Sequence, residues 1–349
     1  MIKIKLFEPH IHRNETSFRP LVFIKNELAQ VGIELIFGDA TSYDFMLVGQ
    51  ASFLDKKKSL QESVEFGLEK ISSITGDYIL LDGQDSTSLI GSADLFRQVY
   101  KNNNCKLFLK SSYLKDFDLY KKGWTLGRMY WGEGEYSVPD IDDMKPKMKL
   151  AGFNWLSTMQ PQWNRFDYNS KITDVWAFFQ YPMGKDVYEH GMLQSAYYDR
   201  FRTGLHNKLG QLENKYKVVY MRSGLRIPTT DYYRIMYESK IVIAAFGYGE
   251  MAPRDIETAM FGNILLKNDM NHIWTIPNPY VPNETYIPIK WDWSDIEEKT
   301  DYVLFNFKEL QQEFVINLRN KYIQENSIRN RVIHFYNLLK SIDNIGVEE

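Results

Sequence analysis

The sequence predicts an α/β protein built from two successive domains, each with a mostly parallel sheet covered by helices. Its 349 residues correspond to about two domains, at roughly 150 residues for each. Short apolar runs, which are typical of buried strands, alternate along the chain with segments in which apolar residues recur every three or four positions. This alternation is interrupted at about residues 124–167, where Gly, Pro and Trp are dense. We therefore expect a first domain over residues 1–160 and a second over residues 161–325.

In the first domain, apolar runs predict five strands and helical periodicity predicts three helices. The strands are expected at residues 2–7, 33–37, 43–48, 77–81 and 106–109. The helices are expected around Leu21, Ile24, Leu28 and Val31, around Leu60, Val64, Leu68 and Ile71, and over residues 95–100. Strands connected through helices run parallel, so their carboxyl ends meet at one edge of the sheet.

The second domain repeats this alternation after the junction. Strands are expected at residues 172–179, 218–221, 241–246 and 264–266, and helices at residues 193–212, 232–238, 253–261, 307–318 and 328–342. Pro253 supports the start of one helix, because a proline in the first turn loses no backbone hydrogen bond. Ligands of such sheets bind beyond the carboxyl ends of the strands, so a cleft between the domains is the expected site.

Composition and charge exclude several classes of protein. Apolar residues make up 44% of the chain and charged residues 25%, which excludes a disordered or collagen-like chain. The net charge of −3 does not favour binding to nucleic acid or to an anionic membrane surface. Cys105 is the only cysteine, so the chain can form neither an internal disulfide nor a thiolate zinc site. Its place before an apolar run predicts a core residue.

The sequence also predicts where the protein is located and whether it binds a metal. No window approaches 18 consecutive apolar residues, and the first residues do not form a signal peptide. We therefore expect a cytoplasmic protein without a transmembrane segment, for which a peripheral membrane contact stays open. His10 and His12 could bind a metal together, but no nearby carboxylates complete a site, so no metal is expected. The 8 Trp, 23 Tyr and 21 Phe residues suit carbohydrate stacking, although most are expected in the core.

The most informative segment is the strand and helix over residues 241–262, which are joined by Gly-Tyr-Gly at 247–249. Glycines allow a close approach of the backbone and a positive φ, and a helix N-terminus binds phosphate through its free N–H groups. Arg254 in the first helical turn opposes the helix dipole, so an anionic ligand that accepts its hydrogen bonds would resolve the conflict. The alternative is that Arg254 pairs with Asp255, Glu257 or another local acid.

Glu257 lies three residues after Arg254, on a nearby part of the same helix. A carboxylate in this position can accept two hydrogen bonds from the hydroxyls of a ribose. Binding of a sugar or a ribose is therefore the functional interpretation, and a solvated helix acid is the alternative.

A competing motif overlaps the glycine loop. The sequence GYGEMA at residues 247–252 fits the G-x-G-x-x-A fingerprint of dinucleotide-binding proteins, and Asp269 lies 22 residues beyond its first glycine, where an acid would hold the ribose. An NAD-dependent dehydrogenase is thus an alternative. Pro253 and the charged pair Arg254 and Glu257 count against it, because that helix would have to pack on the pyrophosphate and the sheet.

A series of short motifs runs through residues 232–299. They are Ser-Lys-Ile before a strand, a Gly-Tyr-Gly-Glu loop, Arg-Asp-x-Glu on a helix, a Gly, an apolar strand ending at Lys, an Asp-Met-x-His turn and a Trp-Asp-x-Ser-Asp segment. These motifs lie at 239–241, 247–250, 254–257, 262, 264–267, 269–272 and 291–296. The segment resembles the C-terminal domain of glycosyltransferases with the GT-B fold, and is most similar to exostosin-like and spore-coat-maturation-type transferases.

The resemblance implies two Rossmann-like domains that face each other across a cleft, with a nucleotide-sugar donor on the second domain. It also implies that a last helix, over residues 326–349, crosses back to the first domain. Arg254 would hold the diphosphate and Glu257 the ribose. The donor-binding residues predicted on this basis are Arg222, Gly247, Tyr248, Gly249, Glu250, Arg254, Glu257, Lys267, Asp269 and His272.

The resemblance also bears on cofactors and on stereochemistry. No metal or other cofactor is expected, because the loop and Arg254 would stabilise the departing diphosphate in place of a metal. The widespread retaining pattern has two glutamates eight positions apart, whereas Glu250 and Glu257 are seven apart. The resemblance therefore does not predict whether the transfer retains or inverts the anomeric configuration of the sugar.

Candidate catalytic residues follow the ends of strands. His10, with His12 nearby, follows the first strand, and an imidazole can deprotonate a sugar hydroxyl near neutral pH. Asp85, with Asp82, follows another strand and could orient the acceptor or act as the base, and Glu250 is the third candidate. Structural, surface and turn roles are the alternatives for these side chains.

These features together predict a glycosyltransferase that moves a hexosyl or pentosyl group from a nucleotide-diphosphate sugar to a hydroxyl of a glycan or glycoconjugate. A nucleotide-sugar epimerase and a non-catalytic sugar-binding protein of the same fold are further alternatives.

Overall fold

The computed structural model describes residues 1–7, 18–38, 41–49, 58–159, 170–179, 188–189, 192–193, 195–220 and 227–342. The predicted site residues His10, His12 and Arg222 lie outside the described residues. The predicted domain boundary between residues 160 and 161 lies outside them as well.

The first part of the chain forms one parallel sheet with helices on both faces. Its strands are β1 Ile2–Phe7, β2 Ile33–Ile36, β3 Phe45–Gly49, β4 Tyr78–Asp82, β5 Cys105–Lys110, β6 Ser112–Leu114 and β7 Met148–Leu150. Its helices are α1 Arg19–Phe23, α2 Lys25–Gln30, α3 Leu60–Ser72, α4 Ser92–Val99 and α5 Ile141–Met144. All strands except β6 form the sheet, in the order β2-β1-β3-β4-β5-β7.

The burial of β4 shows how the sheet is packed. Tyr78 and Leu80 belong to the apolar cluster on one face, and Ile79 and Leu81 belong to the cluster on the other, as the two-residue period of a strand requires. Each of these side chains is at most 3% exposed. A strand that is covered on both faces needs a continuous apolar run, which explains why this segment was predictable.

The second part of the chain forms a second parallel sheet. The strands of this part are β8 Thr173–Ala177, β9 Tyr188–Glu189, β10 Met192–Leu193, β11 Val218–Tyr220, β12 Ser239–Ala244, β13 Ile264–Asn268, β14 Ile273–Thr275 and β15 Ile287–Ile289. Its helices are α6 Ser195–Leu212, α7 Thr229–Tyr237, α8 Pro253–Met260, α9 Ile296–Phe305, α10 Phe307–Glu325 and α11 Ile328–Ser341. The sheet has the order β11-β8-β12-β13-β15. Strand β9 pairs with β10 and β14 pairs with β6, and these pairs lie outside the second sheet. The predicted α/β class with two parallel sheets is confirmed.

Several boundaries differ from those expected. The first predicted helix is divided into α1 and α2 at Ile24, whose φ of −109° and ψ of 21° are not helical. Strand β13 continues to Asn268, two residues beyond the apolar run, because Lys267 and Asn268 are also buried. Strands β6, β7, β14 and β15 have three residues each, which is too short for a periodic signal, and none of them was expected.

Apolar packing and strand pairing both join the two parts of the chain. An apolar cluster combines Leu126 and Trp131 with Phe246 and Met251, which follow β12. In addition, β6 pairs with β14 in an antiparallel ribbon. These contacts bring the loop after β4 against the loop after β12.

The last helix lies on the first sheet. Val332, Phe335 and Leu339 of α11 are buried in the same cluster as Ile4 of β1. A ring nitrogen of His334 lies 2.9 Å from the carbonyl oxygen of Leu150. Helix α11 therefore packs on the sheet that contains β1. None of the helices within the described ranges has the length and apolar character that a bilayer span requires.

Candidate functional site

The glycine loop after β12 lies directly against the loop after β4. The backbone N–H of Glu250 donates to the carbonyl oxygen of Asp85 at 3.1 Å. A Cβ atom at Gly249 would lie 2.3 Å from Cγ of Asp85, so only glycine fits there. The expected close approach is thus present, but neither Gly247 nor Gly249 adopts the positive φ that the sequence suggested.

Two buried side chains of the first part of the chain hold the middle of this loop. Arg128 Nε donates to the carbonyl oxygen of Tyr248 at 2.6 Å, and the Tyr130 hydroxyl donates to the same oxygen at 2.9 Å. The Arg128 guanidinium also lies 4.5 Å from the ring centroid of Trp131. Sequence reasoning missed both residues, although the dense Trp, Tyr and Arg at 124–131 could have indicated more than a linker.

Glu250 is 1% exposed and has partners from both domains. Its carboxylate accepts hydrogen bonds from the backbone N–H of Thr87 at 3.1 Å and from the Thr87 hydroxyl at 2.5 Å. Burial by itself would raise the pKa of Glu250, but His272 and the Thr87 donors outweigh it and hold the pKa below its usual value. The Thr87 donors and His272 therefore stabilise the charged form of the buried Glu250 carboxylate.

His272 lies beside this carboxylate, with Nε2 3.7 Å from Glu250 Oε1. That distance allows electrostatic attraction but exceeds a direct hydrogen bond. The imidazole packs edge-on against Trp291, at 5.0 Å between ring centroids. Neither ring nitrogen has a hydrogen-bond partner in the part of the chain that the structure describes, and both nitrogens are buried.

The two aspartates after β4 have different surroundings. Asp82 forms an ion pair with Lys110 at 3.0 Å, and both side chains are fully buried. Lys110 Nζ also donates to the carbonyl oxygen of Ser86 at 2.7 Å, which fixes the loop. Asp85 is half-buried and packs against Gly249, so it is the aspartate that lies at the contact between the domains.

The first turn of helix α8 carries a cation whose Nε has no hydrogen-bond partner among the described residues. Arg254 is half-buried, and its buried Nε makes no hydrogen bond within the described residues. Asp255, the local acid considered as its partner, instead accepts hydrogen bonds from Lys267 Nζ at 3.1 Å and from the Tyr280 hydroxyl at 2.6 Å. The alternative of an Arg254–Asp255 pair is therefore not what the structure shows.

Glu257 follows on the same helix and is 8% exposed. The Tyr232 hydroxyl donates to Oε2 at 2.8 Å, and the Tyr233 hydroxyl donates to Oε1 at 3.2 Å. Burial raises the pKa of Glu257, and the two tyrosines and Arg254 oppose that effect. The alternative of a solvated acid does not describe this side chain. The two tyrosines were not expected from the sequence.

Lys267 lies beneath the first turn of α8. It is fully buried against Asp255, and burial lowers the pKa of Lys267 despite that acid. Through Asp255, which also accepts from the backbone N–H of Ala252 at 3.0 Å, Lys267 supports the turn that carries Arg254. A direct contact of Lys267 with a donor stays a prediction.

Asp269 lies at the rim of a surface hollow of about 510 Å³, which Asn271, Lys290 and Trp291 also line. Its carboxylate accepts hydrogen bonds from the backbone N–H of Asn271 at 3.0 Å and from the Tyr286 hydroxyl at 3.4 Å. Hollows of this volume accommodate small ligands.

The structure thus arranges the predicted residues in two groups. Asp85, the loop at 247–250 and His272 meet at the contact between the domains, and Arg254 and Glu257 lie on α8. No group of three metal-binding side chains occurs within the described ranges. The roles that the sequence suggested for these residues stay predictions.

Comparison with known proteins shows the fold. No family model and no curated protein matches the chain. The chain is similar to sucrose-phosphate synthase from Thermosynechococcus elongatus, with 8% identity and a TM-score of 0.50 over 99% of this chain and 100% of that one. For Anabaena HepE in complex with UDP-glucose the values are 10% identity and a TM-score of 0.41, over 98% and 100%. For an α1,3-fucosyltransferase with GDP they are 9% and 0.44, over 100% and 91%.

The similarity to sucrose-phosphate synthase, together with the two parallel sheets, shows two Rossmann-like domains in the GT-B architecture. The narrower resemblance to exostosin-like and spore-coat-maturation-type transferases stays a prediction.

Proposed function

We propose that this protein is a glycosyltransferase that moves a sugar from a nucleoside-diphosphate sugar to a hydroxyl acceptor. The observation that carries the proposal is the pair of side chains on α8. Arg254 has a buried Nε with no hydrogen-bond partner in the ranges that the structure describes, and Glu257 beside it has a carboxylate held by two tyrosine hydroxyls.

Arg254 is the proposed ligand of the diphosphate. A buried donor without a partner costs roughly 1–3 kcal/mol, and a phosphate oxygen would remove that cost while neutralising the charge. The N-terminus of α8 adds a favourable dipole. Arg254 would also stabilise the negative charge that develops on the departing diphosphate, so the proposed transfer uses no metal ion.

Glu257 is the proposed ligand of the ribose. An ionised carboxylate offers about four acceptor sites, and Tyr232 and Tyr233 occupy two of them. Two sites therefore remain for a ribose diol. The tyrosines fix the direction of the carboxylate before the ligand arrives, which lowers the entropic cost of binding.

The contact between the domains is the proposed place of the acceptor. Glu250 is too deeply buried to meet a substrate directly in this arrangement, so its proposed role is to orient His272. Asp85 and His10 remain the proposed candidates for the base that deprotonates the acceptor hydroxyl.

The dinucleotide fingerprint is less well supported. In such a site the glycine loop turns its N–H groups towards the pyrophosphate. Here the N–H groups of Gly247, Glu250 and Met251 already donate to carbonyl oxygens of Gly249 and Asp85. The same bonds are the reason that we assign the diphosphate to Arg254 and α8 rather than to the loop.

The experiment is calorimetric titration of the protein with UDP, GDP, CMP and NAD. We expect a nucleoside diphosphate to bind and Arg254→Ala to weaken that binding by about 1.5–3 kcal/mol, the range for charged hydrogen bonds. Glu257→Gln should raise the dissociation constant at least about tenfold. Arg234→Ala is the matched control, because Arg234 on α7 is exposed and paired with Glu238 at 3.3 Å.

Two results would contradict the proposal. One is that NAD binds while UDP, GDP and CMP do not. The other is an equal loss of nucleoside and nucleotide affinity in Arg254→Ala, because the arginine would then not hold phosphate. Product formation with pooled acceptors distinguishes a transferase from a protein that only binds the donor.

A further inference from the structure

The ribbon that joins the two domains has a buried face and an exposed face. Its register places Leu114 opposite Ile273 and Tyr113 opposite Trp274. Leu114 and Ile273 are at most 2% exposed, whereas Trp274 is 50% exposed and Tyr113 is half-buried. Because neighbouring residues of a strand point to opposite faces, Tyr113 and Trp274 share the outer face.

Three aromatic rings form a continuous surface on this face, which we call the aromatic platform: Tyr113, Phe117 and Trp274. The Tyr113 ring centroid lies 5.9 Å from that of Trp274 and 5.2 Å from that of Phe117, and both pairs meet edge to face. Edge-to-face pairs fix the orientation of each ring. The platform is therefore pre-organised, with the indole as its exposed part.

The rim of the platform is polar and carries both signs of charge. Lys145 Nζ lies 4.9 Å from the Phe117 ring centroid. Lys115, Asp116 and Asn271 are exposed beside the platform in sequence. The rim therefore offers hydrogen-bond donors and acceptors beside the apolar rings.

A sugar ring has the matching chemistry, because a pyranose presents a face of C–H groups surrounded by hydroxyls. The indole can cover the C–H face while the rim takes up the hydroxyls. A protein partner is a poorer match, because a stable interface buries about 800 Å² on each side and Trp274 is the only strongly exposed apolar side chain of β6 and β14.

The platform is continuous with the candidate site. The backbone N–H of Lys115 donates to the carbonyl oxygen of His272 at 2.9 Å, so the end of the ribbon is bonded to the backbone of His272. His272 then contacts Glu250 and Trp291. Trp274 is two residues from His272, which lies in the turn before β14. A chain of sugar rings on the platform could therefore extend towards the contact between the domains.

We propose that the aromatic platform binds a sugar ring of an oligosaccharide acceptor, at a subsite next to the reacting hydroxyl. This inference rests on the proposed glycosyltransferase function and adds a class of acceptor to it: a glycan of at least two sugar units rather than a small alcohol.

The test is fluorine NMR of protein labelled with fluorotryptophan. The Trp274 signal is identified by its loss in Trp274→Phe. Cellohexaose, maltohexaose and chitohexaose are the probes, and calorimetry measures their affinities for Trp274→Ala, Trp274→Phe and Tyr302→Ala. Tyr302 on α9 is the matched control, because it is an aromatic residue with 48% exposure. Thermal unfolding checks that each variant is folded.

We expect the Trp274 signal to move with at least one hexasaccharide. Trp274→Ala should weaken that binding at least about tenfold, since a stacked Trp is a typical binding hot spot, whereas Trp274→Phe should retain part of it and Tyr302→Ala all of it. A Trp274 signal that none of the three probes moves overturns the proposal. A signal that moves with protein concentration alone also overturns it, because a second copy would then cover the platform.

Titration of the same sample with UDP and GDP keeps the two proposals separate. If nucleotide binds and no saccharide does, the glycosyltransferase proposal is retained and the proposal for the platform is contradicted. If a saccharide binds and no nucleotide does, the platform is supported as a saccharide site and the glycosyltransferase proposal is contradicted.

Discussion

Glu250 belongs to the second domain by sequence and to the first domain by its hydrogen bonds. Its carboxylate accepts from Thr87, and its backbone N–H donates to Asp85. A buried carboxylate is costly unless it is hydrogen-bonded, so these contacts favour one relative position of the domains. Gly249 permits them, because it lets the Asp85 loop approach.

Gly249→Ala is expected to lower the thermal stability. The new Cβ would lie 2.3 Å from both Cγ and the carbonyl oxygen of Asp85, so one loop must move, at a cost of about 1–3 kcal/mol. Gly76→Ala is the control, since its Cβ would lie 3.6 Å from Tyr43, an ordinary contact. Differential scanning calorimetry compares the variants, and equal melting temperatures would show that the close approach is not required.

At the scale of elements, Lys171 links the C-terminal ends of two helices. Its Nζ donates at 2.7 Å to the carbonyl oxygens of Tyr237, which ends α7, and of Phe261, which follows α8. The side chain is 6% exposed, and burial lowers the pKa of Lys171 to about 7. Helix α8 carries Arg254 and Glu257, so Lys171 helps to position the proposed donor site.

Lys171→Met is expected to change how stability depends on pH. The usual pKa of 10.5 applies in the unfolded chain, against about 7 in the folded one. Between these pH values the unfolded chain binds one more proton, so the wild-type free energy of unfolding rises with pH, by up to about 1.4 kcal/mol per pH unit. Lys171→Met should lack this rise. Lys308→Met, at an exposed position of α10, should keep it.

Urea unfolding at several pH values between about 7 and 10.5 measures the free energy of unfolding of the wild type and of each variant. Subtracting the variant's value from that of the wild type at each pH removes the contribution of other titrating groups. Parallel pH profiles for the wild type and Lys171→Met would contradict the expectation.

At the scale of the whole molecule, α11 connects the end of the chain with the first sheet. Phe335 is fully buried and packs edge-on against Phe153, at 6.2 Å between ring centroids. Gly152, with a φ of +77°, passes so close to His334 that a Cβ would lie 2.0 Å from its ring. The last helix thus completes the core of the first domain although it follows the second domain in sequence.

Phe335→Ala is expected to destabilise the protein by about 3–5 kcal/mol, the usual cost of a large cavity in a core. Ile333→Ala on the same helix is the control: its side chain is 46% exposed, so a change within about 0.5 kcal/mol is expected. Chemical denaturation followed by circular dichroism measures both. Similar losses in the two variants would indicate that α11 contributes through helix propensity rather than through burial on the first sheet.

The sequence by itself determined the class of the fold and most of its long elements. Helical spacing of apolar residues and the continuous runs of β4 and β12 are local properties, and burial on both faces of a parallel strand requires them. Pro253 marked the first residue of α8 for a similarly local reason. The same segment drew attention to Arg254 and Glu257, because a charged pair after a glycine loop is visible in sequence.

Only the tertiary structure decided which residues meet. Each strand of the β6–β14 ribbon has three residues and finds its partner in the other domain, so no local pattern indicates the pair. Arg128 and Tyr130 lie in a segment whose sequence resembles a linker. The sequence around Lys267 likewise does not indicate that Lys267 forms a buried ion pair with Asp255. Local propensities act over a few residues, whereas partners are chosen when distant segments pack together and exclude water. The contacts of Glu250 and of the aromatic platform were therefore set by packing between the domains.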